Sequence, residues 1–257
     1  MEQLEKLRAH LDMCDGIILD ALRMRNKITE DITEYKQSHD MRIVQPDQEE
    51  KKRSFLERRM KGERHQEEIL SVFDAILLSS KKIQTRALFE YNLVLIGFMG
   101  AGKTTISNTL KHIFAMDVIE MDQIIAEREG MSISEIFETY GEQYFRDAET
   151  NLLIELQNRK NVVISCGGGT PLREVNVAEM KKNGKVILLT AEPETIFDRV
   201  KDSHDRPVIE NNKNIPFITE LMEQRRPKYE AAADIIIHTD GKNEYEICEE
   251  IIARALE

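Results

Sequence analysis

The 257-residue sequence has no tryptophan, few prolines and only three cysteines, and its 36 basic side chains are outnumbered by 47 acidic ones. The cysteines, Cys14, Cys166 and Cys248, are far apart and odd in number. This excludes a disulfide framework and a cysteine metal motif and favours a reducing cytoplasm. A net charge of −11 argues against a nucleic acid as the main partner, because phosphate backbones are bound by an excess of Lys and Arg.

Long apolar runs are also missing. No stretch approaches the roughly 20 apolar residues that a membrane-spanning helix needs, so we expect no membrane partner. The first five residues lack the basic start and apolar stretch of a secretory signal. The length suffices for two modest domains.

The chain changes character near residue 90. Residues 1–88 contain one proline and two glycines and have helical patterning throughout. From Tyr91 onward, strand-like apolar segments alternate with helical ones, which is typical of a parallel α/β sheet. We therefore predict an all-α three-helix domain over residues 1–88 and an α/β domain, a parallel sheet flanked by helices, over residues 92–257. The predicted strands are 92–96, 117–119, 162–165, 185–189 and 234–237.

The segment 97–104, here called the phosphate loop, fits the pattern G-x-x-x-x-G-K-[ST]. A buried strand precedes it and an amphipathic helix follows, so phosphate would meet a helix N-terminus. The glycines allow close backbone approach, Lys103 neutralises phosphate charge and Thr104 offers a hydroxyl to Mg²⁺. The pattern predicts a nucleoside triphosphate site.

Further polar residues follow the predicted strands. Glu120 and Asp122 fit three interpretations: Mg²⁺ binding through water, proton acceptance from a substrate hydroxyl, or a solvated loop. Gly167, Gly168 and Gly169, here called the triple glycine, favour close approach to a ligand over a plain turn. The polar segment 199–216 fits either a mobile lid that delivers an arginine or a surface loop.

Residues 92–257 resemble shikimate kinase, a P-loop enzyme family. The resemblance rests on motifs in family order: the phosphate loop, Asp122, the segment 141–146 ending at Arg146, the triple glycine, Arg206-Pro207, and the segment 225–229 beginning at Arg225. It implies Mg²⁺-dependent transfer of a phosphoryl group from ATP to shikimate. A kinase of the same fold for another small molecule, such as gluconate or a nucleotide, is the rival interpretation.

The resemblance also implies roles for single residues. Asp122 would bind the shikimate hydroxyls and act as base, Arg146 and Arg225 would hold the carboxylate, and the triple glycine would line the ring. Arg206 would close over the γ-phosphate. The implied ATP-binding residues are Gly97, Gly100, Ala101, Gly102, Lys103, Thr104, Thr105, Arg199 and Arg206. The family's Asp-x-Asp pair begins here with Glu120, a departure at the Mg²⁺ position.

The first helical segment, residues 4–36, carries a broad apolar stripe when wound at about 100° per residue. Arg25 and Lys36 fall within this stripe and Arg8 at its rim. Since an unpaired buried cation is costly, these side chains need acidic partners such as Glu50 or an anionic ligand. In the third helical segment, Ser80 and Gln84 likewise join the stripe. Structural ion pairs in a bundle and a coiled-coil dimerisation module are the alternatives.

Residues 4–88 resemble the all-helical chorismate mutases, whose sites are shared between two copies of the chain. The matching positions are Arg8, Arg25, Lys36, Glu50, Ser80 and Gln84. The resemblance implies that chorismate rearranges to prephenate without a cofactor. Arg8 would reach over from the partner copy, and Arg8 and Arg25 would hold the two substrate carboxylates. Lys36 and Gln84 would donate hydrogen bonds to the ether oxygen, and Glu50 would hold the ring hydroxyl.

Two positions depart from that family. Pro46 stands where the family usually has Asp, and Glu49 stands where it usually has Arg, which reverses a charge near the pocket of a dianion. The two resemblances together predict a bifunctional, cytoplasmic, dimeric enzyme of aromatic amino-acid biosynthesis. The alternative is a shikimate kinase whose helical part only dimerises the chain or senses chorismate or prephenate.

Overall fold

The computed structural model describes residues 2–39, 41, 45–201 and 214–257. These form two compact units, Met1–Leu88 and Phe89–Glu257, here called the helical unit and the α/β unit. Among the described residues, none of the helices combines the length and the apolar character needed to cross a membrane.

The helical unit consists of three helices: α1 (Glu2–Ser38), α2 (Pro46–Met60) and α3 (Gln66–Leu88). Pro46 lies at the start of α2, where a missing N–H costs no hydrogen bond. Helix α1 packs against α3, and the buried Thr29 and Thr33 return their hydroxyls to carbonyls one turn earlier in α1.

The α/β unit has a five-stranded, fully parallel sheet. Its three central strands are largely buried on both faces, as the continuous apolar runs predict, whereas the two edge strands are partly exposed. The strands are β1 (Asn92–Gly97), β2 (Asp117–Glu120), β3 (Val162–Ser165), β4 (Gly184–Thr190) and β5 (Ile235–His238). Their order in the sheet is β2-β3-β1-β4-β5.

Helices connect these strands. They are α4 (Lys103–Phe114), α5 (Met121–Glu129), α6 (Ile133–Glu155), α7 (Glu174–Asn183), α8 (Pro193–Val200), α9 (Ile215–Ala232) and α10 (Glu244–Leu256), with 3-10 turns at Leu156–Asn158 and Thr170–Leu172. The chain leaves β1 toward β2 and β3 on one side and later reaches β4 and β5 on the other. The carboxyl end of β1 is therefore the point of the sheet where ligands bind in open α/β folds.

The structure corrects two sequence-based boundaries. The helix after the phosphate loop begins at Lys103, two residues earlier than predicted, so Lys103 and Thr104 lie in its first turn. The segment 199–216 is helical at both ends, since Arg199 belongs to α8 and Pro216 to α9. Asn214 caps α9 by accepting a hydrogen bond from the Phe217 amide, a helix-start signal that the polar composition of the segment masks.

Candidate active sites

The phosphate loop connects β1 to α4 by a backbone path that depends on glycine. Gly97 has φ 148° and Gly102 has φ 97°, both in the region that glycine adopts most easily. A Cβ at Gly97 would collide with the carbonyl oxygen of Leu189 in β4. Lys103 Nζ donates to the carbonyls of Gly97 at 2.9 Å and Phe98 at 3.2 Å, which holds its charge against the loop.

A cavity of about 600 Å³ opens beside this loop. Of the predicted site residues it is lined by Gly100, Ala101, Gly102, Lys103, Thr104, Thr105, Glu120, Asp122, Gly168 and Arg199. The Arg199 guanidinium donates to the Gly100 carbonyl at 3.1 Å. Arg206 lies outside the described residues.

Sequence reasoning missed one wall of the cavity. Thr239, Lys242, Glu244 and Ile247 line it from the turn after β5 and the first turns of α10. They directly follow the fifth parallel strand, so the rule that ligands meet the carboxyl ends of strands points to them.

Arg146 is held by a break in helix α6. Gly141 has φ 83° and ψ 164°, so the segment after it begins a new helical run and brings Arg146 into its early turns. The Arg146 guanidinium donates to Glu149 at 2.8 Å and to Glu142 at 2.9 Å. It also lies 5.5 Å from the centroid of the Phe145 ring. The side chain is therefore fixed from three sides.

Glu149, absent from the sequence-based set, is the buried acid of this cluster. Its side chain is fully excluded from solvent, and the Thr170 hydroxyl donates to it. Burial raises the pKa of Glu149, although Arg146 and Thr170 oppose that shift. Burial also disfavours the charged Arg146, but its ion pairs outweigh burial and raise its pKa. The only sequence signal for Glu149 is its position three residues after Arg146 on the same helix.

The triple glycine leaves room for these charged groups. A Cβ at Gly169 would overlap the Arg146 guanidinium. A Cβ at Gly167 would lie 2.6 Å from Asp122 Oδ1 and 2.8 Å from Glu149 Oε1. The structure thus brings together Asp122 in the first turn of α5, Arg146 of α6 and the triple glycine after β3.

Arg225 approaches the same region from helix α9. Its guanidinium lies 5.7 Å from the centroid of the Phe98 ring in the phosphate loop. Tyr229, one turn later, donates its hydroxyl to the Gly168 carbonyl at 2.6 Å. Burial raises the pKa of Tyr229, and its hydrogen bond with Arg225 opposes the shift. Tyr229 therefore joins Arg225 to the triple glycine.

A second cavity, of about 1070 Å³, lies within the helical unit. It is lined by five of the predicted residues: Arg25, Lys36, Glu50, Ser80 and Gln84. Arg25 donates to the Ser80 hydroxyl and to the Ile76 carbonyl, and burial lowers its pKa. Lys52, Arg53 and Lys81, which the sequence analysis did not select, add positive charge to the lining.

The amino-terminal half of α1 does not share in this packing. Arg8 is exposed and lies away from the cavity that the described residues form. Leu7 and Leu11, on the predicted apolar stripe, are 59 and 62 % exposed. A single copy of the chain therefore leaves a large apolar surface on this helix uncovered.

Comparisons with known proteins agree with this division. The family model for shikimate kinase matches residues 99–256, and the model for chorismate mutase type II matches residues 7–85. The shikimate kinase of Persephonella marina is 41 % identical over 163 residues, which cover 63 % of this chain and 98 % of that protein. The shikimate kinase of Thermodesulfovibrio yellowstonii is 39 % identical and 92 % covered.

Solved structures give the same result for the fold. A shikimate kinase from Acinetobacter baumannii in complex with shikimate superposes with a TM-score of 0.61 at 31 % identity, over 65 % of this chain and 93 % of that one. A shikimate kinase from Aquifex aeolicus gives a TM-score of 0.56 at 35 % identity, over 64 % and 95 % of the two chains. The chain therefore belongs to the shikimate kinase family and, with its chorismate mutase type II domain, is a bifunctional enzyme of aromatic biosynthesis.

Proposed function

We propose that residues 92–257 transfer the γ-phosphoryl group of ATP to a ring hydroxyl of shikimate, and that residues 1–88 rearrange chorismate to prephenate. The observation that carries the kinase proposal is the position of Asp122. This carboxylate lines the cavity of the phosphate loop and also lies beside Gly167, next to the Arg146–Glu149 pair. An acceptor held by Arg146 would thus present its hydroxyl to Asp122 at the phosphate end of the cavity.

The arginines select a carboxylated acceptor. A guanidinium can bind a carboxylate through two parallel charge-assisted N–H···O bonds, an arrangement that an uncharged sugar cannot offer. Arg146 has five N–H donors, so its bonds to Glu142 and Glu149 leave others for a ligand. Arg225, between Phe98 and Tyr229, supplies the second grip.

The phosphate end supplies positive charge around the transferring group. Lys103 at the start of α4 neutralises charge on the phosphates, and Asp122 accepts the proton of the attacking hydroxyl. The transition state of this transfer is loose, so catalysis comes mainly from positioning and electrostatics. In this proposal Arg206, which lies outside the described residues, adds a further positive charge at the γ-phosphate.

Mg²⁺ fits the donors beside Lys103. The Thr104 hydroxyl lies 3.4 Å from Glu120 Oε2, and hydroxyl and carboxylate oxygens are the ligands that Mg²⁺ prefers. Within the described residues, no group of three His, Cys, Asp or Glu side chains forms a metal cage. Thr104 and Glu120, the latter through water, would hold the ion, which neutralises charge on the ATP phosphates when bound.

In the helical unit, the proposed mutase site needs only shape and charge. Arg25 and Ser80 would hold one carboxylate of chorismate, and Lys36 and Gln84 would stabilise the ether oxygen as its bond breaks. Glu50 would accept from the ring hydroxyl. In this lining the basic Arg25, Lys36, Lys52, Arg53 and Lys81 outnumber the acidic Glu50 and Asp74, which supports a dianionic ligand.

We also propose a homodimer formed through α1, which would cover the exposed apolar stripe and bring Arg8 of one copy into the cavity of the other. A cytoplasmic location is proposed on the three free cysteines, which are usual in a reducing compartment.

One assay of the full chain tests both activities. With ATP and Mg²⁺, shikimate should be phosphorylated, and with chorismate alone, prephenate should form. Arg25→Ala should abolish the mutase and leave the kinase intact. A chain that phosphorylates shikimate but shows no chorismate turnover, while chorismate still changes the kinase rate, would instead support the sensing alternative.

A further inference from the structure

We infer that Ser107 is a positioning residue of the kinase metal site, because its hydroxyl holds the Glu120 carboxylate beside Thr104. The inference rests on the proposed Mg²⁺-dependent kinase function and assigns a task to a residue outside the phosphate-loop pattern. It also explains how this chain accommodates a glutamate where the family usually has an aspartate.

Ser107 lies one turn after Thr104 on the same face of α4, and this face meets the carboxyl end of β2. Its side chain is fully buried. The hydroxyl donates to Glu120 Oε1, and it also lies 3.0 Å from the Thr104 carbonyl oxygen. A hydroxyl has a single proton, and a charged carboxylate is the stronger of these two acceptors.

This contact leaves the second carboxylate oxygen available on the metal side. Glu120 Oε2 lies 3.4 Å from the Thr104 hydroxyl, the donor that the phosphate-loop pattern assigns to Mg²⁺. Glutamate has one more rotatable bond than aspartate, so fixing its carboxylate costs more side-chain entropy. The Ser107 bond fixes it before the ion arrives, and Mg²⁺ tolerates little deviation in ligand geometry.

A bystander role for Ser107 would look different. Thr109, two residues later in α4, shows that role: its hydroxyl donates to the Thr105 carbonyl at 3.0 Å within the helix. Serine and threonine often bond this way in helices without any function. Ser107 differs because it is buried and its hydroxyl reaches an acid on another element.

The test compares Ser107→Ala with Thr109→Ala in the full chain. Manganese binding in the presence of ATP is followed by electron paramagnetic resonance, and the Mg²⁺ concentration for half-maximal kinase rate is measured alongside. Ser107→Ala should weaken both by about 10-fold, as losses of outer-shell partners do, while Thr109→Ala leaves them unchanged. In a Glu120→Gln background, Ser107→Ala should add no further loss.

Ser107→Cys keeps the shape of the side chain, with a larger atom in place of the oxygen, but donates weakly, so an intermediate loss of metal affinity would support the inference even if the alanine variant unfolds. Equal metal affinity in Ser107→Ala and wild type would overturn the inference. So would a Ser107→Ala loss of metal affinity that is just as large in the Glu120→Gln background. Either result would leave the kinase proposal standing. A wild-type chain that phosphorylates shikimate without any divalent cation would overturn the proposed metal and this inference with it.

Discussion

The Arg146 guanidinium lies 2.8 Å from the carboxylate of Glu149, whose side chain has no exposure to solvent. A buried carboxylate survives as an anion only where cations and donors compensate for lost hydration. Glu149 has Arg146 and the Thr170 hydroxyl for this purpose. The pair fixes the plane of the arginine that would receive the substrate carboxylate.

Glu149→Gln should raise the KM for shikimate by roughly 10-fold or more, because a charge-assisted bond contributes about 1.5–3 kcal/mol. The pKa of Glu149 is raised by burial, so this carboxylate takes up a proton at a higher pH than an ordinary glutamate. In wild type, the KM should therefore begin to rise on acidification above the ordinary range of a glutamate. In Glu149→Gln that part of the dependence should vanish, and only the titration of the substrate remains.

Glu155→Gln is the matched control. Glu155 lies on the same helix and also pairs with an arginine, Arg128 at 2.7 Å, but it is exposed. It should leave the KM for shikimate unchanged at every pH. An identical acid limb in wild type and Glu149→Gln would contradict the assignment.

Gly169→Ala should prevent Arg146 from binding the substrate carboxylate and leave nucleotide binding unchanged. The added Cβ would occupy the space of the Arg146 guanidinium, so either the arginine or the triple glycine must shift. A misplacement on this scale commonly costs about 100-fold in catalysis. Steady-state kinetics should show a large loss in kcat/KM for shikimate and an unchanged KM for ATP. Parallel losses for both substrates would indicate a folding defect instead.

Tyr229→Phe should raise the KM for shikimate several-fold and change kcat little. The variant removes the hydroxyl that bonds the Gly168 carbonyl at 2.6 Å and contacts Arg225. Loss of such a bond costs about 1 kcal/mol and removes the link between helix α9 and the triple glycine. Tyr91→Phe is the control, because the Tyr91 hydroxyl also donates to a backbone carbonyl, that of Ala255, away from the cavity. Equal effects of the two variants on KM would refute the positioning role.

Mixing two inactive mutase variants tests the shared site. Arg8→Ala and Arg25→Ala should each abolish prephenate formation. If each cavity takes Arg8 from the other copy, a mixed dimer contains one intact site, and random re-association should restore about a quarter of wild-type mutase activity. The rate is followed by the loss of chorismate absorbance. No recovery in a demonstrably mixed dimer with unchanged helix content by circular dichroism would contradict the shared site, and kinase activity in all samples reports that the α/β unit is folded.

The sequence predicted the five strands, the helices of the helical unit and the helix that carries Arg146, but it assigned no helix to α8 and α9, which carry Arg199 and Arg225. The buried strand before the phosphate loop and the alternation of strands and helices after residue 90 are visible in the spacing of apolar residues. This spacing is a reliable signal because those residues form the core. The sequence-based assignment was wrong where a polar composition concealed the N-cap of a helix. Asn214 and Pro216 start α9, yet the surrounding polar residues suggested an irregular segment.

Glu149 shows the other kind of failure. A glutamate three residues after an arginine on a helix is usually an exposed pair of little energetic consequence. Only the packing of α6 against the 3-10 turn at Thr170–Leu172 shows that this one is buried. Tyr229 and Ser107 are similar, because their partners, Gly168 and Glu120, are distant in sequence.

The sequence by itself therefore determined the two-part organisation, the phosphate loop and several of the charged residues that line the two cavities, because spacing along the chain encodes helix faces and strand ends. The tertiary structure alone decided which charges are buried, which glycines make room for Arg146 and Asp122, and that Glu120 is held by Ser107. Burial and partner choice arise from contacts between segments far apart in sequence, and it is burial that turns an ordinary ion pair or hydroxyl into one that positions a ligand.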